Sequence, residues 1–96
     1  MIKRTRPDIV DALLALKTRA DVEAFLADLC TPGEIRALSE RWVVARLLDG
    51  GELSYREIAK EAKSSTATVT RVARFLKDMP HKGYRRVLDR LQGQRT

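Results

Sequence analysis

Apolar side chains recur at steps of three and four residues along nearly the whole chain, the spacing that gathers them on one face of an α-helix. Ile9, Val10, Leu13, Leu14 and Leu16 mark a first amphipathic segment that opens near Pro7, a residue tolerated at a helix start. Thr18 to Asp21 offers a second start, leading into Val22, Phe25, Leu26 and Leu29 along one face. The clearest cap follows at Thr31-Pro32-Gly33-Glu34. Thr31 can accept from the free amides, Pro32 suits the first helical position, and Glu34 can reach back to complete a capping box. The next helix carries Ile35, Leu38, Trp42, Val43, Val44, Ala45, Leu47 and Leu48, and from Trp42 onward it is apolar on more than one face. A chain of 96 residues cannot easily hide two apolar faces of one helix inside its own fold. Each further large side chain buried contributes roughly 1.5–3 kcal/mol, so a second copy of the chain is the expected cover. Gly50-Gly51 ends this helix. Neither sustained alternation nor an Asn-Gly turn suggests a strand.

Tyr55 to Lys77 reads as two short helices joined by a tight turn. Ser54 caps the first, with Glu57 three residues on as a second capping box. Ile58, Ala59 and Ala62 mark the inner face of the first helix; Val69, Val72, Ala73 and Leu76 mark that of the second. Ala59 falls where two crossing helices would touch. Ser64 or Ser65 is expected to cap the second helix. That helix then presents Thr66, Ala67, Thr68, Thr70, Arg71 and Arg74: short groups that let a backbone approach a surface, then cations that hold phosphate. This is the layout of a helix-turn-helix, spanning about residues 54–77, that reads the DNA major groove. The alternative is a packed helical hairpin whose hydroxyls only cap and solvate. Lys63 stands where such turns usually carry glycine, because the backbone there needs positive φ. Lysine adopts that conformation at a cost on the order of 1 kcal/mol, so the turn is either mildly strained or altered in geometry; Lys63 could also reach a phosphate. Asp78-Met79-Pro80 breaks the helix, and His81-Lys82-Gly83 leads to a short last one with Tyr84, Val87, Leu88 and Leu91. The polar tail from Gly93 to Thr96 is expected to fray. The sum is six helices in a single all-helical domain.

Charge then favours a polyanionic partner. Residues 1–48 carry a net charge of +1 and residues 49–96 a net of +5, so nearly all the excess lies in the half with the hairpin. Cations that displace counterions from phosphate supply most non-specific affinity for nucleic acid. One cysteine, Cys30, excludes an intrachain disulfide and a cysteine-rich zinc site, and beside Leu29 it reads as a small buried hydrophobe. With a single histidine, His81, metal binding and catalysis have almost no raw material, and no triad or paired carboxylates are spaced for chemistry. His81 itself reads as a phosphate contact or a solvated loop residue. No apolar run approaches the ~20 residues needed to span a bilayer. The opening MIKRTRPD is basic but no apolar signal core follows it. A cytoplasmic protein that is not an enzyme is expected.

LCTPGEIRALSERWVVARLL, ELSYREIAKE, STATVTRVARFLK and GYRRVLDRL resemble the tryptophan-repressor superfamily, and within it the YerC/YecD branch. The resemblance covers about residues 20–91 and rests on Thr31-Pro32-x-Glu34, an arginine seven residues past Glu34, and Ser65 to Arg71. It implies an all-α, six-helix Trp-repressor-like fold with a helix-turn-helix, built as an intertwined homodimer. Dimerisation helices would lie at about 7–48 and 81–92. Two hairpins would then face successive major grooves of double-stranded DNA, on a near-palindromic operator with half-sites about 34–36 Å apart. Carried over by position, Arg56 is the groove-entering arginine, whose fork suits guanine O6 and N7 and is worth about 1–3 kcal/mol of discrimination. The other possibility for Arg56 is an exposed charge paired with a nearby glutamate. Thr66 and Ala67 match the tip that approaches base edges, and Thr70 a phosphate-contacting hydroxyl. Ser64, Ser65 and Lys63 complete the turn beside them.

The ligand pocket of that superfamily uses two arginines that flank an indole, with small residues making room. Arg41 and Arg71 match the arginines, and Thr31 and Thr68 match lining positions. Val72 and Phe75 stand where the repressor has glycine and serine. Filling a close-packed site with an isopropyl and a benzyl group costs ~1–3 kcal/mol or more in overpacking, so tryptophan is not expected as a corepressor and no cofactor is implied. Phe75 would itself occupy the space, with Arg41 or Arg71 over its ring adding a cation–π contribution; the alternative is that Phe75 is ordinary core and the arginines ordinary surface cations. The function expected is a sequence-specific DNA-binding transcriptional regulator, a repressor acting by occupancy. The alternative is a helical protein–protein interaction module with a basic surface.

Overall fold

The computed structural model describes residues 6–93, so the opening MIKRT and residues 94–96 of the tail lie outside it. Six helices follow in order: α1 (Ile9–Leu14), α2 (Arg19–Leu29), α3 (Pro32–Gly50), α4 (Tyr55–Glu61), α5 (Thr66–Lys77) and α6 (Gly83–Gly93). There is no strand among the described residues. The chain divides within α3 into two compact units, the first ending at Ile35 and the second beginning at Arg36.

In the first unit the helices are fixed by their caps. Asp8, rather than Pro7, starts α1: the Asp11 N–H donates to Asp8 Oδ1 (3.0 Å) and the Asp8 N–H donates to Asp11 Oδ2 (2.9 Å). The helix stops at Leu14, short of Leu16. The next cap takes over the chain there, for the Lys17 N–H donates to the Asp21 carboxylate and the Asp21 N–H to Thr18 Oγ1. The Thr31–Glu34 box forms as the sequence predicts, with the Thr31 N–H donating to Glu34 Oε1 (2.8 Å) and the Glu34 N–H to Thr31 Oγ1 (3.1 Å). Neither α1 nor α2 buries a residue. Cys30, expected to be buried, is half-buried, because it ends α2 as an extended residue rather than continuing its inner face.

The second unit has the core. Val44, Ala45 and Leu48 of α3 meet Ile58 and Ala59 of α4, Ala62 just past it, Val69, Val72, Ala73 and Leu76 of α5, and Leu88 of α6. These include all the inner-face positions that the spacing of the hairpin predicts. Only Leu88 of the four apolar positions predicted on the last helix is buried; Tyr84 is half-buried, and Val87 and Leu91 are exposed. Gly93 is the last residue of α6 rather than part of a frayed tail. Gly51, at φ 72°, turns the chain out of α3 in the left-handed region that glycine enters without steric cost.

A contact between elements far apart in sequence holds α6 to the end of α3. Arg85 forks onto Asp49, with Nη1 donating to Oδ1 (2.7 Å) and Nη2 to Oδ2 (3.2 Å), and Gln92 Nε2 donates to the same carboxylate (3.0 Å). Asp89 steadies the guanidinium from within α6. The Arg85 hydrogen bonds hold the Asp49 carboxyl below the usual carboxylate range, against the opposing effect of partial burial.

Candidate nucleic-acid interface

The hairpin turn is built by two consecutive caps. At the end of α4 the Ser64 N–H donates to the Ala59 carbonyl (2.9 Å) and the Lys63 N–H to the Lys60 carbonyl (3.2 Å). This is the paired bonding of a Schellman motif, which requires a left-handed residue. Lys63 supplies it at φ 53°, so the turn keeps the geometry that glycine usually provides. Ser65, not Ser64, then caps α5: its hydroxyl accepts from the Thr68 N–H (3.1 Å) and lies 3.1 Å from Thr68 Oγ1. At the other end of the hairpin, Ser54 and Glu57 form the predicted box, and the backbone N–H of Ser54 lowers the pKa of Glu57.

With Ser65 engaged in the cap and Thr68 half-buried beside it, the side chains left at the tip are those of Thr66 and Ala67, both exposed. Thr70 is exposed too, but its hydroxyl donates to the Thr66 carbonyl (2.9 Å). To donate to a phosphate it must turn from its own helix. Arg56, Lys63, Arg71 and Arg74 are exposed and none forms an ion pair among the described residues. The pairing of Arg56 with a neighbouring glutamate is therefore not formed.

The first turns of α1, α2, α3 and α4 each carry a carboxylate, from Asp11, Asp21, Glu34 and Glu57 respectively. The first turn of α5 carries none. A helix N-terminus has free N–H groups and the positive end of the helix dipole, and an acid there satisfies both. On α5 that positive end stays uncompensated, beside side chains small enough for an anionic backbone to come close.

Of the residues matched to a ligand pocket, Thr31 spends its hydroxyl in the cap of α3, in the first unit. In the second unit, Arg41 Nε donates back to the Ala37 carbonyl (3.4 Å). Val72 is fully buried. Phe75 is half-buried, and of the two arginines it is Arg71 that covers it, with its guanidinium carbon 4.5 Å from the ring centroid. Phase of the helix explains the difference, since Arg71 lies one turn before Phe75 on α5. Phe75 also borders a groove of about 450 Å³ lined by Trp42, His81, Gly83, Tyr84 and Val87.

Two features escaped the reading of the sequence. Lys77 Nζ lies 6.0 Å from the centroid of the Tyr55 ring, joining the end of α5 to the start of α4. The Asp49–Arg85 fork links residues 36 positions apart. No local pattern announces such pairs; only the spacing of Tyr55 and Lys77 at opposite ends of the predicted hairpin could have suggested the first.

Among the described residues no cluster of histidine, cysteine or carboxylate side chains could hold a metal ion, and no helix is long and apolar enough to cross a membrane. The sequence model of the Trp repressor protein family matches residues 7–92. The chain is 38% identical over 88 residues to the uncharacterised protein YerC of Bacillus subtilis (strain 168), a match that covers 92% of this chain and 83% of YerC. Its structure is similar to the crystal structure of a TrpR-like protein from Eubacterium eligens ATCC 27750, with a TM-score of 0.81 and 39% identity, over 88% of this chain and 84% of the other.

Proposed function

The chain belongs to the Trp repressor family, and on that premise we propose that it is a sequence-specific DNA-binding regulator of transcription that acts as a homodimer. It is a regulator rather than an enzyme, and it represses in the cytoplasm by occupying a near-palindromic operator. The observation that carries this reading is the N-terminus of α5: exposed Thr66 and Ala67 on a first turn free of carboxylates, among the unpaired cations Arg56, Lys63, Arg71 and Arg74. Arg56 reads a guanine, the tip reads thymine methyls and water, and the cations grip the backbone.

The homodimer is supported by apolar surface that each chain leaves uncovered. Ile9, Val10, Leu13, Leu14, Val22 and Leu29 are all exposed on α1 and α2. In the second unit, Trp42, Val43 and Leu47 of α3 and Leu91 of α6 border a groove of about 500 Å³. A second copy covering these faces, through helices at about 7–48 and 81–92, makes the chain a single DNA-binding domain in the pair and presents two tips at once.

Tryptophan is not its corepressor. Val72 and Phe75 occupy the positions where an indole needs room, and displacing either overpacks the site at a cost of ~1–3 kcal/mol. Titration calorimetry with tryptophan is expected to give no stoichiometric heat.

Selection of bound sequences from a random duplex pool tests the reading. Enrichment of an inverted repeat with half-sites about one helical turn apart is expected. A pool that stays random would overturn it and favour a protein-interaction module.

A further inference from the structure

Arg71 and Phe75 stand one helical turn apart on α5, with the guanidinium 4.5 Å from the ring centroid. His81, from the segment between α5 and α6, stacks on the same ring, with centroids 6.1 Å apart and planes inclined by 13°. Arg71 is exposed and has no carboxylate partner among the described residues. The contrast with Arg85 in the same unit is direct. Arg85 is ordered by Asp49 and Asp89, which take up its donors and cancel its charge.

A ring face orders a guanidinium differently. It attracts the cation through its quadrupole while leaving the charge uncancelled and the N–H donors available. Phosphate contact needs that combination: a fixed long side chain loses less rotamer entropy on binding, and an uncancelled charge still displaces counterions. Phe75 is itself held, since it is half-buried on α5 and His81 lies against it.

We propose that Phe75 is a positioning residue for DNA binding: backed by His81, it holds Arg71 in the conformation that meets a backbone phosphate. The inference rests on the DNA-binding reading above and adds that this part of the grip is set inside the chain, with no small molecule required to order it.

Binding of a fluorescent mixed-sequence duplex, followed by anisotropy over a range of salt concentrations, tests it on the full chain and its variants. Phe75→Leu keeps an apolar side chain at the site and removes the ring face. It is expected to weaken binding about two- to fivefold, the scale of an exposed cation–π contact. It should also lower the slope of log affinity against log salt by about 0.9, the signature of one lost phosphate contact. Phe75→Tyr should preserve affinity and slope. In an Arg71→Ala background, Phe75→Leu should change neither. His81→Ala, on an exposed segment that tolerates truncation, should weaken binding in the same direction and be equally silent without Arg71, which keeps the test open if Phe75→Leu unfolds. A loss that adds to that of Arg71→Ala, or an unchanged salt slope, overturns the inference alone and leaves Phe75 a packing residue. An unaltered chain that ignores duplex DNA overturns the DNA-binding reading, and the inference with it.

Discussion

The two units of the chain are equally well capped and very differently packed. In the first, Asp8, Thr18 and Thr31 each accept from the amide three residues on, yet α1 and α2 bury nothing, and Leu14 is 78% exposed. In the second, the same kind of caps at Ser54 and Ser65 frame helices whose inner faces close on one another, and Ile58 is 1% exposed. Capping satisfies amides at one end of a helix and is a local matter. Burial needs a second surface. Helices of six and eleven residues are too short to persist on local interactions alone. The first unit therefore draws its stability from contacts that the second makes for itself.

Substitutions in the apolar faces should separate the two units most sharply. Ile58→Ala leaves a cavity in the core of the second unit and is expected to lower unfolding free energy by about 2–5 kcal/mol in denaturant titrations. Leu14→Glu removes no buried contact of the single chain; its expected effect is on assembly, turning dimer into monomer in sedimentation at concentrations where the parent chain is paired. Equal loss of chain stability from both would erase the distinction. Arg56→Ala should cost about 1–3 kcal/mol on a selected operator and much less on random duplex; uniform weakening would reassign Arg56 to the backbone.

A smaller effect concerns Asp49. Its carboxyl is depressed in the folded chain by the Arg85 fork. The resulting stability is fully present above the ordinary carboxylate pKa of about 3.9 and is lost as pH falls through the lower folded value. Melting temperatures of Asp49→Asn and the parent should therefore differ at neutral pH, by the equivalent of about 1 kcal/mol, and converge in acid below that range. Parallel curves would mean that the fork contributes nothing. Smallest, and opposite in sign, is Lys63→Gly. It relieves the left-handed lysine at φ 53° and should stabilise the hairpin by up to about 1 kcal/mol. If Lys63 also reaches a phosphate, the same variant binds duplex less tightly.

The hairpin was legible residue by residue because its signals are short-range: hydroxyls and acids at fixed offsets, and apolar residues at helical steps. Ile58, Ala59, Ala62, Val69, Val72, Ala73 and Leu76 all face inward as their spacing predicts. Lys63 was legible as an anomaly, and the conformation it was expected to need is the one it adopts. The start of α1 was misplaced because Pro7 is compatible with a first helical position, whereas Asp8 has a side chain that accepts from the Asp11 N–H. The choice between Arg41 and Arg71 over Phe75 stayed open because it depends on three-dimensional phase, not on residue type. The Asp49–Arg85 fork was invisible for the same reason, as two common charges meet only after α3 and α6 have packed.

The alanines of the hairpin have a mechanical consequence. Ala59 and Ala62, at the end of α4, and Ala73 of α5 are buried where side chains with several torsions could have stood. Methyl groups have no rotamers to re-sort, so the two helices cannot slide over one another by repacking and must travel as one rigid jaw. Accommodation to an operator whose half-sites are slightly further apart or rotated has to come from a joint outside it. The short link from Gly51 to Leu53, opening on a residue at φ 72°, is the place in the second unit where the backbone has freedom to swing.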